Sequence, residues 1–393
     1  MFKRILNIDL SKFRKIRKPF DDNVINFISD FSKELKKLNK NNLTELYFLM
    51  NWCTKRNILK IKNSVNLSKE DRVGRGIVFH ISPSNVPTNF FYSFLFGLLA
   101  GNSNIVRIPK QNFPEKIIII KAFKNISKKK IYKSIKDTNI FIDYDHKDNQ
   151  NITYNLSMIC DVRMIWGGDK SINEIRKVFL PERSIELTFS DRYSISIINQ
   201  DLIKFNNKND LKIFIKKFFY DSFMMGQLAC NSPQIIFWIG KKKSNIEKFW
   251  QELNSLVVER YKFKEIDIMD KYSNLVSKIL SNNDFKKLKR YSNNIYVIDL
   301  DNKDYINSKL RGSHGTFYQK PLRKLENVEK YIDKKCQTIT YYGVSNLDIK
   351  NLIINKNIMG GDRIVPVGQS LNINNFWDGY DLIRTLSRVI YLN

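Results

Sequence analysis

The sequence predicts an α/β fold that is built around a mostly parallel sheet and divided into two domains. Strand-like and helix-like segments alternate between residues 74 and 198, which is the pattern of a parallel sheet with crossover helices. The chain has 393 residues, more than one ordinary core accommodates, and 42% of them are hydrophobic, enough for two cores. We therefore predict one domain at residues 1–200 and a second at 201–393, joined at the polar segment 199–210.

The first half begins with helix-like segments over residues 1–70 and continues as alternating strands and helices. A strand at 74–81 ends in a loop of turn-forming residues, and a buried helix at 90–101 and a strand at 104–109 follow. This unit has the length of a parallel crossover, and such sheets bind ligands beyond the ends of their strands. Further strands are predicted at 139–143, 162–166, 184–189 and 193–198, with helices at 114–123 and, capped by Ser171, at 172–179.

The second half begins with a predicted helix at residues 211–225, which leads into a buried strand at 235–239. An amphipathic helix at 245–262 and strands at 294–300 and 338–343 follow. The segment 360–369 is rich in turn formers, and the pattern over 376–388 favours a terminal helix. The second half is therefore also predicted to be an α/β domain.

Composition narrows the class of protein. A net charge of +28 favours an anionic partner, although lysine, asparagine and isoleucine are abundant throughout, so compositional drift is the alternative. The four cysteines form no CxxC pair and the three histidines show no metal-ligand spacing, so neither a disulfide framework nor a metal site is expected; His80 lies in an apolar strand, as a core histidine does. Without a signal peptide or a bilayer-spanning apolar run, we expect a cytoplasmic protein.

One cysteine stands out by its position. Cys230 lies in the loop between the helix that ends near residue 225 and the strand that begins at 235, among small and polar residues. Such a position suits an accessible nucleophile, which requires a local field to hold it as a thiolate. A buried structural cysteine is the alternative.

Several polar residues and glycines follow the strands of the first half. Asn85 carries a side-chain amide that suits either an oxyanion or an Asx turn. Arg107 and Lys110 suit either an adenosine phosphate or solvent. The pair Gly167-Gly168 lets backbone N–H groups approach a phosphate, although any tight turn uses such a pair. A thiolate and an amide donor beside a dinucleotide cleft are the minimum for reducing a thioester through an acyl-enzyme.

Six segments together carry a family resemblance: residues 76–87 (GIVFHISPSNVP), 101–109 (GNSNIVRIP), 166–169 (WGGD), 227–234 (QLACNSPQ), 361–368 (GDRIVPVG) and 377–380 (WDGY). They resemble the acyl-CoA reductases of the bacterial luminescence type, the LuxC family, a branch of the aldehyde dehydrogenase superfamily. The resemblance extends from about residue 74 to the C-terminus. It implies an aldehyde dehydrogenase-like fold, with a Rossmann-type cofactor domain in the first half and a second α/β catalytic domain.

The resemblance also implies roles for individual residues. Cys230 is similar in position to the catalytic thiol, and Asn85 to the oxyanion-hole asparagine. The cofactor-binding residues that it implies are Ser82, Pro83, Arg107, Lys110, Gly167 and Gly168, with NADPH as the cofactor. The family's Glu-Leu-Gly-Gly-Lys strand is here residues 186–190 (ELTFS), and one extra residue lies between Gln227 and Cys230. These departures leave open whether Glu186 activates water, and a weakened base suits a reductase because hydrolysis would waste the acyl-enzyme.

The implied function is the NADPH-dependent reduction of a long-chain fatty acyl-CoA, or of an acyl-protein thioester, to the aldehyde. The expected partners are an acyl-protein synthetase or acyltransferase and further copies of the chain in a homo-oligomer, without nucleic acid. Alternatives on the same fold are an acyl-phosphate reductase, a semialdehyde dehydrogenase and a catalytically dead scaffold. The alternative from another class is a basic nucleic-acid-binding protein. Luminescence is not implied, because such a fold also supplies aldehydes to other lipid chemistry.

Overall fold

The structure, a computed structural model, describes residues 13, 15–83, 86–145, 150–205, 207–281, 285–300 and 311–392. The chain divides into two compact units. The first unit comprises Met1–Ser190 together with Ile373–Asn393, and the second comprises Asp191–Asn372. Each unit is built on one large sheet.

The helices and strands alternate along most of the chain. In chain order the helices are α1 (Asp22–Leu38), α2 (Thr44–Trp52), α3 (Lys55–Val65), α4 (Asn89–Leu99), α5 (Pro114–Ile126), α6 (Lys133–Asp137), α7 (Gln150–Ile159), α8 (Asp169–Arg176), α9 (Lys208–Phe223), α10 (Ser244–Arg260), α11 (Glu265–Ser281), α12 (Asn346–Asn355) and α13 (Leu382–Leu386). The strands are β1 (Arg72–Gly74), β2 (Ile77–Ile81), β3 (Ser103–Arg107), β4 (Asn139–Ile142), β5 (Val162–Trp166), β6 (Ile185–Phe189), β7 (Tyr193–Asn199), β8 (Pro233–Ile239), β9 (Phe285–Tyr291), β10 (Ile295–Leu300), β11 (Thr316–Leu322), β12 (Cys336–Tyr342), β13 (Arg363–Pro366), β14 (Phe376–Trp377), β15 (Tyr380–Asp381) and β16 (Ser387–Val389).

The first unit contains a parallel sheet of five strands in the order β4-β3-β2-β5-β6. The central strand β2 is buried along its whole length, as expected for a parallel strand that is covered on both faces. Helix α4 is apolar on all sides, and its residues Phe90, Phe91 and Phe94 pack against Phe141 of β4. The predicted β-loop-α-β unit is confirmed. Because the strands are parallel, β2, β3 and β5 all end at the same edge of the sheet.

The C-terminal segment adds a hairpin and a strand to the first unit. β14 and β15 pair with each other, and β16 pairs antiparallel with β1. Asn102 Nδ2 donates to the carbonyl oxygen of Leu386 at 2.8 Å, which fixes the segment to the unit's interior. The predicted helix over residues 376–388 is wrong over most of its length, because Asp378 and Gly379 adopt positive φ angles and reverse the chain.

The second unit contains a sheet of seven strands in the order β13-β12-β7-β8-β11-β10-β9. All neighbours are parallel except β9, which is antiparallel to β10. Hydrophobic clusters cover the sheet, one of them around Trp238 and Trp250 and another around Phe237 and Tyr318. These clusters form the core of the unit.

The division into units differs from the predicted boundary at residues 200/201. That boundary assigns β7 to the first domain and the C-terminal tail to the second. In the structure β7 pairs with β8 and β12 in the second unit, and residues 373–393 join the first. Strand pairing over long sequence separations decides both assignments, and a linear pattern does not contain it. Within the described residues, none of the helices combines the length and apolarity that a membrane crossing requires.

Candidate active site

The turn that leads to Cys230 is fixed by one glutamine side chain. After α9, Gly226 and Gln227 adopt φ angles of 56° and 61°. This left-handed conformation is unfavourable for a residue other than glycine, at a cost of about 1 kcal/mol or more. The buried carboxamide of Gln227 offsets it by accepting from the Gly315 N–H at 3.0 Å and donating to the Thr316 carbonyl oxygen at 3.0 Å. The Gln227 side chain therefore fixes the conformation of the turn that precedes Cys230.

Cys230 differs from the other cysteines in its accessibility. All four cysteines lie among the described residues and none forms a disulfide, and Cys230 alone among them is not buried. Burial raises the pKa of the Cys160 thiol to about 12, and burial also raises the pKa values of Cys53 and Cys336. A protonated, buried thiol is a poor nucleophile, so Cys230 is the best candidate among the four for thiol chemistry.

Two side chains of the seven-stranded sheet contact Cys230. The Ser194 hydroxyl donates to the carbonyl oxygen of Cys230 at 2.7 Å and accepts from the Thr338 N–H at 3.2 Å. The Gln337 amide nitrogen Nε2 donates to Cys230 Sγ at 3.3 Å. The candidate nucleophile is thus held through its backbone and through its sulfur.

A buried guanidinium lies near the thiol. Arg363, the first residue of β13, is 8% exposed and donates to three carbonyl oxygens within residues 369–372, at 2.6 to 2.8 Å. Burial lowers the pKa of Arg363 to about 10, and its charge interacts with Asp221 and with Cys230. A neighbouring cation favours a thiolate over a thiol, so Arg363 is a candidate source of the field that a nucleophilic cysteine needs.

Asp221 fastens the segment after β13 to helix α9. Its buried carboxylate accepts from the Gly368 N–H at 2.6 Å and from the Ser370 N–H at 2.9 Å. Burial raises the pKa of Asp221 to about 6, against the opposing effect of these N–H groups and of Arg363. Asn231, next to the candidate nucleophile, donates from Nδ2 to the Ser370 carbonyl oxygen at 2.6 Å. Residues 368–372 therefore position both the Arg363 guanidinium and the loop that carries Cys230.

The residues nominated for cofactor binding share one edge of the five-stranded sheet. All six lie at or just beyond the ends of β2, β3 and β5, namely Ser82, Pro83, Arg107, Lys110, Gly167 and Gly168. Ser82 is 6% exposed, and its hydroxyl has no hydrogen-bond partner among the described residues. A buried hydroxyl without a described partner at this edge suits contact with a ligand, and open α/β sheets bind dinucleotides here.

Arg107 and Lys110 both contact the segment that follows β4. The Nε of Arg107 donates to the Tyr144 carbonyl oxygen at 3.3 Å, and its guanidinium lies 5.3 Å from the centroid of the Tyr144 ring. Lys110 forms an ion pair with Asp145 at 2.8 Å, with 70% of its side chain exposed. Because an exposed ion pair orders a side chain weakly, Arg107 is the better placed of the two to bind a phosphate.

The glycine pair leaves open space at the same edge. A Cβ on Gly168 would meet no described atom within 4 Å, and one on Gly167 would meet Ser171 Cβ at 3.7 Å. Gly168 is the N-cap of α8, with an ordinary φ of −69°, so Ser171 is not the cap that the sequence predicts. Neither packing nor backbone conformation requires Gly168. Open space beside a helix N-terminus fits the approach of a dinucleotide phosphate to the backbone.

Glu186 is engaged by two arginines. Its carboxylate accepts from Arg163 Nε at 2.7 Å and pairs with Arg176 Nε at 3.0 Å. Arg163 is 2% exposed and donates further to Ser157 Oγ and to the Val178 carbonyl oxygen, each at 3.0 Å. Removing one partner of such a buried pair leaves an uncompensated charge, so this geometry favours a structural role for Glu186 over that of a base.

His80 is a core histidine, as its apolar surroundings predict. Its ring nitrogens form hydrogen bonds with Ser93 Oγ at 2.7 Å and Asn104 Oδ1 at 2.9 Å, and burial lowers its pKa to about 4. Ser93 Oγ also accepts from Trp166 Nε1 at 2.9 Å, and the Trp166 ring stacks on Phe189 with centroids 3.8 Å apart. This network fixes the tryptophan that precedes the glycine pair.

Asn85, the nominated oxyanion donor, lies outside the described residues, and its role stays a prediction. In the part of the chain that the structure describes, no group of three or more His, Cys, Asp or Glu side chains is placed to hold a metal ion. No local sequence pattern points to Ser194, Gln337 or Asp221 as site residues. Arg363 lies within the motif at 361–368, which is the signal that points to it.

The comparisons with known proteins agree with this architecture. Among solved structures, an oxidoreductase from Marinobacter aquaeolei is 10% identical, with 94% of this chain and 82% of that chain covered and a TM-score of 0.67. A glyceraldehyde-3-phosphate dehydrogenase, GapN, from Methanocaldococcus jannaschii in complex with NADP is 13% identical, with 99% and 90% covered and a TM-score of 0.62. An NAD-dependent benzaldehyde dehydrogenase from Corynebacterium glutamicum is 8% identical, with 98% and 89% covered and a TM-score of 0.62. No curated protein matches the sequence significantly.

These similarities confirm the predicted fold class, an α/β fold of the aldehyde dehydrogenase type. A sequence model of the family described as acyl-CoA reductase (LuxC) matches residues 26–389. The chain therefore belongs to the acyl-CoA reductase (LuxC) family. Family and fold together define an oxidoreductase that acts on acyl or aldehyde groups.

Proposed function

We propose that the protein reduces a long-chain fatty acyl-CoA, or the corresponding acyl-protein thioester, to the aldehyde with NADPH. The observation that carries this proposal is the environment of Cys230, an accessible thiol that accepts a hydrogen bond from Gln337 and interacts with the charge of Arg363. These are the conditions under which a cysteine becomes a nucleophile. Four cysteines without a disulfide also suit a reducing compartment, and we infer a cytoplasmic location.

In the proposed reaction Cys230 carries the acyl group. Its thiolate attacks the acyl carbonyl, the bond to the sulfur of CoA breaks, and CoA takes up a proton and leaves as its thiol. The acyl group is then a thioester of Cys230. A reduced nicotinamide, when bound, supplies a hydride to the carbonyl carbon of this thioester. Cys230 leaves as the thiolate, and the aldehyde is released. By the family resemblance, Asn85 donates to the carbonyl oxygen while it carries negative charge.

The residues at the edge of the five-stranded sheet would hold the nicotinamide cofactor. The Ser82 hydroxyl and the open space at Gly168 fit a bound dinucleotide. The solved structures of similar fold include one in complex with NADP and one that is NAD-dependent, so the fold accommodates both cofactors. Arg107 favours NADPH here, because a guanidinium that is already oriented by Tyr144 pairs well with a 2′-phosphate.

The direct test is to mix purified protein with NADPH and a series of acyl-CoAs of different chain lengths, and to follow the absorbance of NADPH. We expect one aldehyde to form for each NADPH consumed, with long chains preferred. Product identity is checked by trapping the aldehyde as a hydrazone. Consumption of NADPH with acyl phosphates alone would favour the alternative reductase of the same fold, and no consumption with any acyl donor would contradict the proposal.

The preference for NADPH is expected to depend on Arg107. Arg107→Ala should raise the KM for NADPH by about 10-fold or more, because one charge-assisted contact is lost, and should leave the KM for NADH nearly unchanged. Lys110→Ala is the matched control, since its exposed ion pair with Asp145 predicts a smaller change. Equal effects of Arg107→Ala on both cofactors would mean that Arg107 is structural.

A further inference from the structure

We propose that Gln337 is a further catalytic residue, whose side-chain amide stabilises the Cys230 thiolate by direct hydrogen bonding. The proposal deepens the proposed function and rests on it, since it concerns the same nucleophile. The contact itself is on the reacting atom: Gln337 Nε2 lies 3.3 Å from Cys230 Sγ.

Irregular strand pairing directs Gln337 toward the sulfur. β12 runs parallel to β7, but their register shifts between Cys336 and Ile339, so Gln337 lies within the interruption. The ladder between β7 and β8 also shifts, between Ser194 and Ile195. Such interruptions redirect side chains and are frequent next to active sites. Both shifts meet at the residues that contact the nucleophile.

Ser194 holds this arrangement in place. Its hydroxyl accepts from the Thr338 N–H, a backbone group within the interruption, and donates to the Cys230 carbonyl oxygen. One buried hydroxyl therefore fixes β12 and the nucleophile loop at a set distance. Gln337 is 2% exposed, so water competes little for its amide, and a hydrogen bond to sulfur is stronger there than in solvent.

The chemistry of the amide determines which form of the nucleophile it stabilises. A carboxamide nitrogen only donates, and a thiolate accepts a hydrogen bond more strongly than a thiol does, so Gln337 favours the thiolate. Among the described residues, the charged groups near this part of the unit include Arg363, which also favours the thiolate, and Asp221, which interacts with the charge of Arg363. They also include the ion pair of Arg192 with Asp362, and Asp333, whose charges act on Cys336 next to Gln337. Gln337 adds a neutral donor at the sulfur itself and does not change the charge of the site.

The test measures the thiol without requiring turnover. The rate at which iodoacetamide alkylates Cys230 is followed against pH, with peptide mapping to identify the labelled residue. In Gln337→Met, which keeps the size of the side chain and removes the donor, the midpoint of the profile should rise by about one pH unit, which makes alkylation near neutral pH roughly tenfold slower. The matched control is Thr340→Val, on the same strand, where the hydroxyl donates to Ile195 and the profile should not change.

The outcomes separate this proposal from the proposed function. An unchanged profile in folded Gln337→Met protein would overturn the role of Gln337. A shifted profile, together with no acyl transfer by the unaltered protein, would support Gln337 and contradict acyl-CoA reduction. Where Gln337→Met does not fold, as judged by circular dichroism, Ser194→Ala takes its place. This variant removes the hydroxyl that connects β12 to the loop of Cys230 and keeps the Gln337 amide. It should shift the profile in the same direction by a smaller amount, and no shift would overturn the proposal.

Discussion

Replacement of Cys230 by alanine is expected to abolish acyl transfer and turnover in a protein that still folds. Loss of a covalent nucleophile reduces enzyme rates by on the order of 10⁶-fold, and no other cysteine is accessible enough to substitute for it. The fold should persist because the substitution removes only the side chain of a residue at the end of a loop, and its described hydrogen bond is the one from Gln337 to Sγ. The contacts of the loop through Ser194, Gln227 and Asn231 do not involve the thiol.

The measurement is covalent labelling with radioactive acyl-CoA in the absence of NADPH. We expect a base-labile adduct on the unaltered protein and none on Cys230→Ala. Cys336→Ala is the matched control, because Cys336 is a buried thiol on the strand that carries Gln337, and this variant should label normally. An adduct that maps to Cys53, Cys160 or Cys336 would contradict the assignment of the nucleophile.

The parts of the fold that the sequence predicts are those whose pattern is local. β2 is a short apolar run followed by turn formers, and α4 is apolar on every side, so both are visible without their partners. The register of strands, the membership of β7 in the second sheet and the return of β16 to β1 depend on residues far apart in sequence. No window of the sequence contains that information, and the predicted domain boundary reflects this.

The same distinction applies to the site. Cys230 is predictable because a thiol at the junction of a helix and a strand is a local feature, and the glycine pair after β5 is also local. Gln337 and Ser194 are not predictable, since their contacts with Cys230 depend on two interruptions of strand pairing. Glu186 is a third case. The sequence shows a carboxylate on an altered strand, and the structure shows the buried arginine that it neutralises.

In the absence of NADPH, the protein is expected to release about one equivalent of CoA per active site and then stop. Covalent catalysis stalls at its intermediate when the next reactant is missing, so the acyl group should remain on Cys230. Hydrolysis would need a base to activate water, and Glu186 is occupied by Arg163 and Arg176. CoA release is followed with a thiol reagent in a rapid-mixing experiment. Addition of NADPH should then discharge the acyl group as aldehyde, with little free acid.

Glu186→Gln distinguishes a stalled intermediate from slow hydrolysis. If Glu186 only neutralises Arg163, the substitution should leave the acyl-enzyme equally persistent. It should also destabilise the first unit by about 3 kcal/mol, seen as a lower midpoint of thermal unfolding, because a buried guanidinium loses its carboxylate. Rapid, continuous release of fatty acid by the unaltered protein, stopped by Glu186→Gln, would instead identify Glu186 as the base. The protein would then be a hydrolytic enzyme of this fold, because water rather than hydride would normally attack the thioester of the acyl-enzyme.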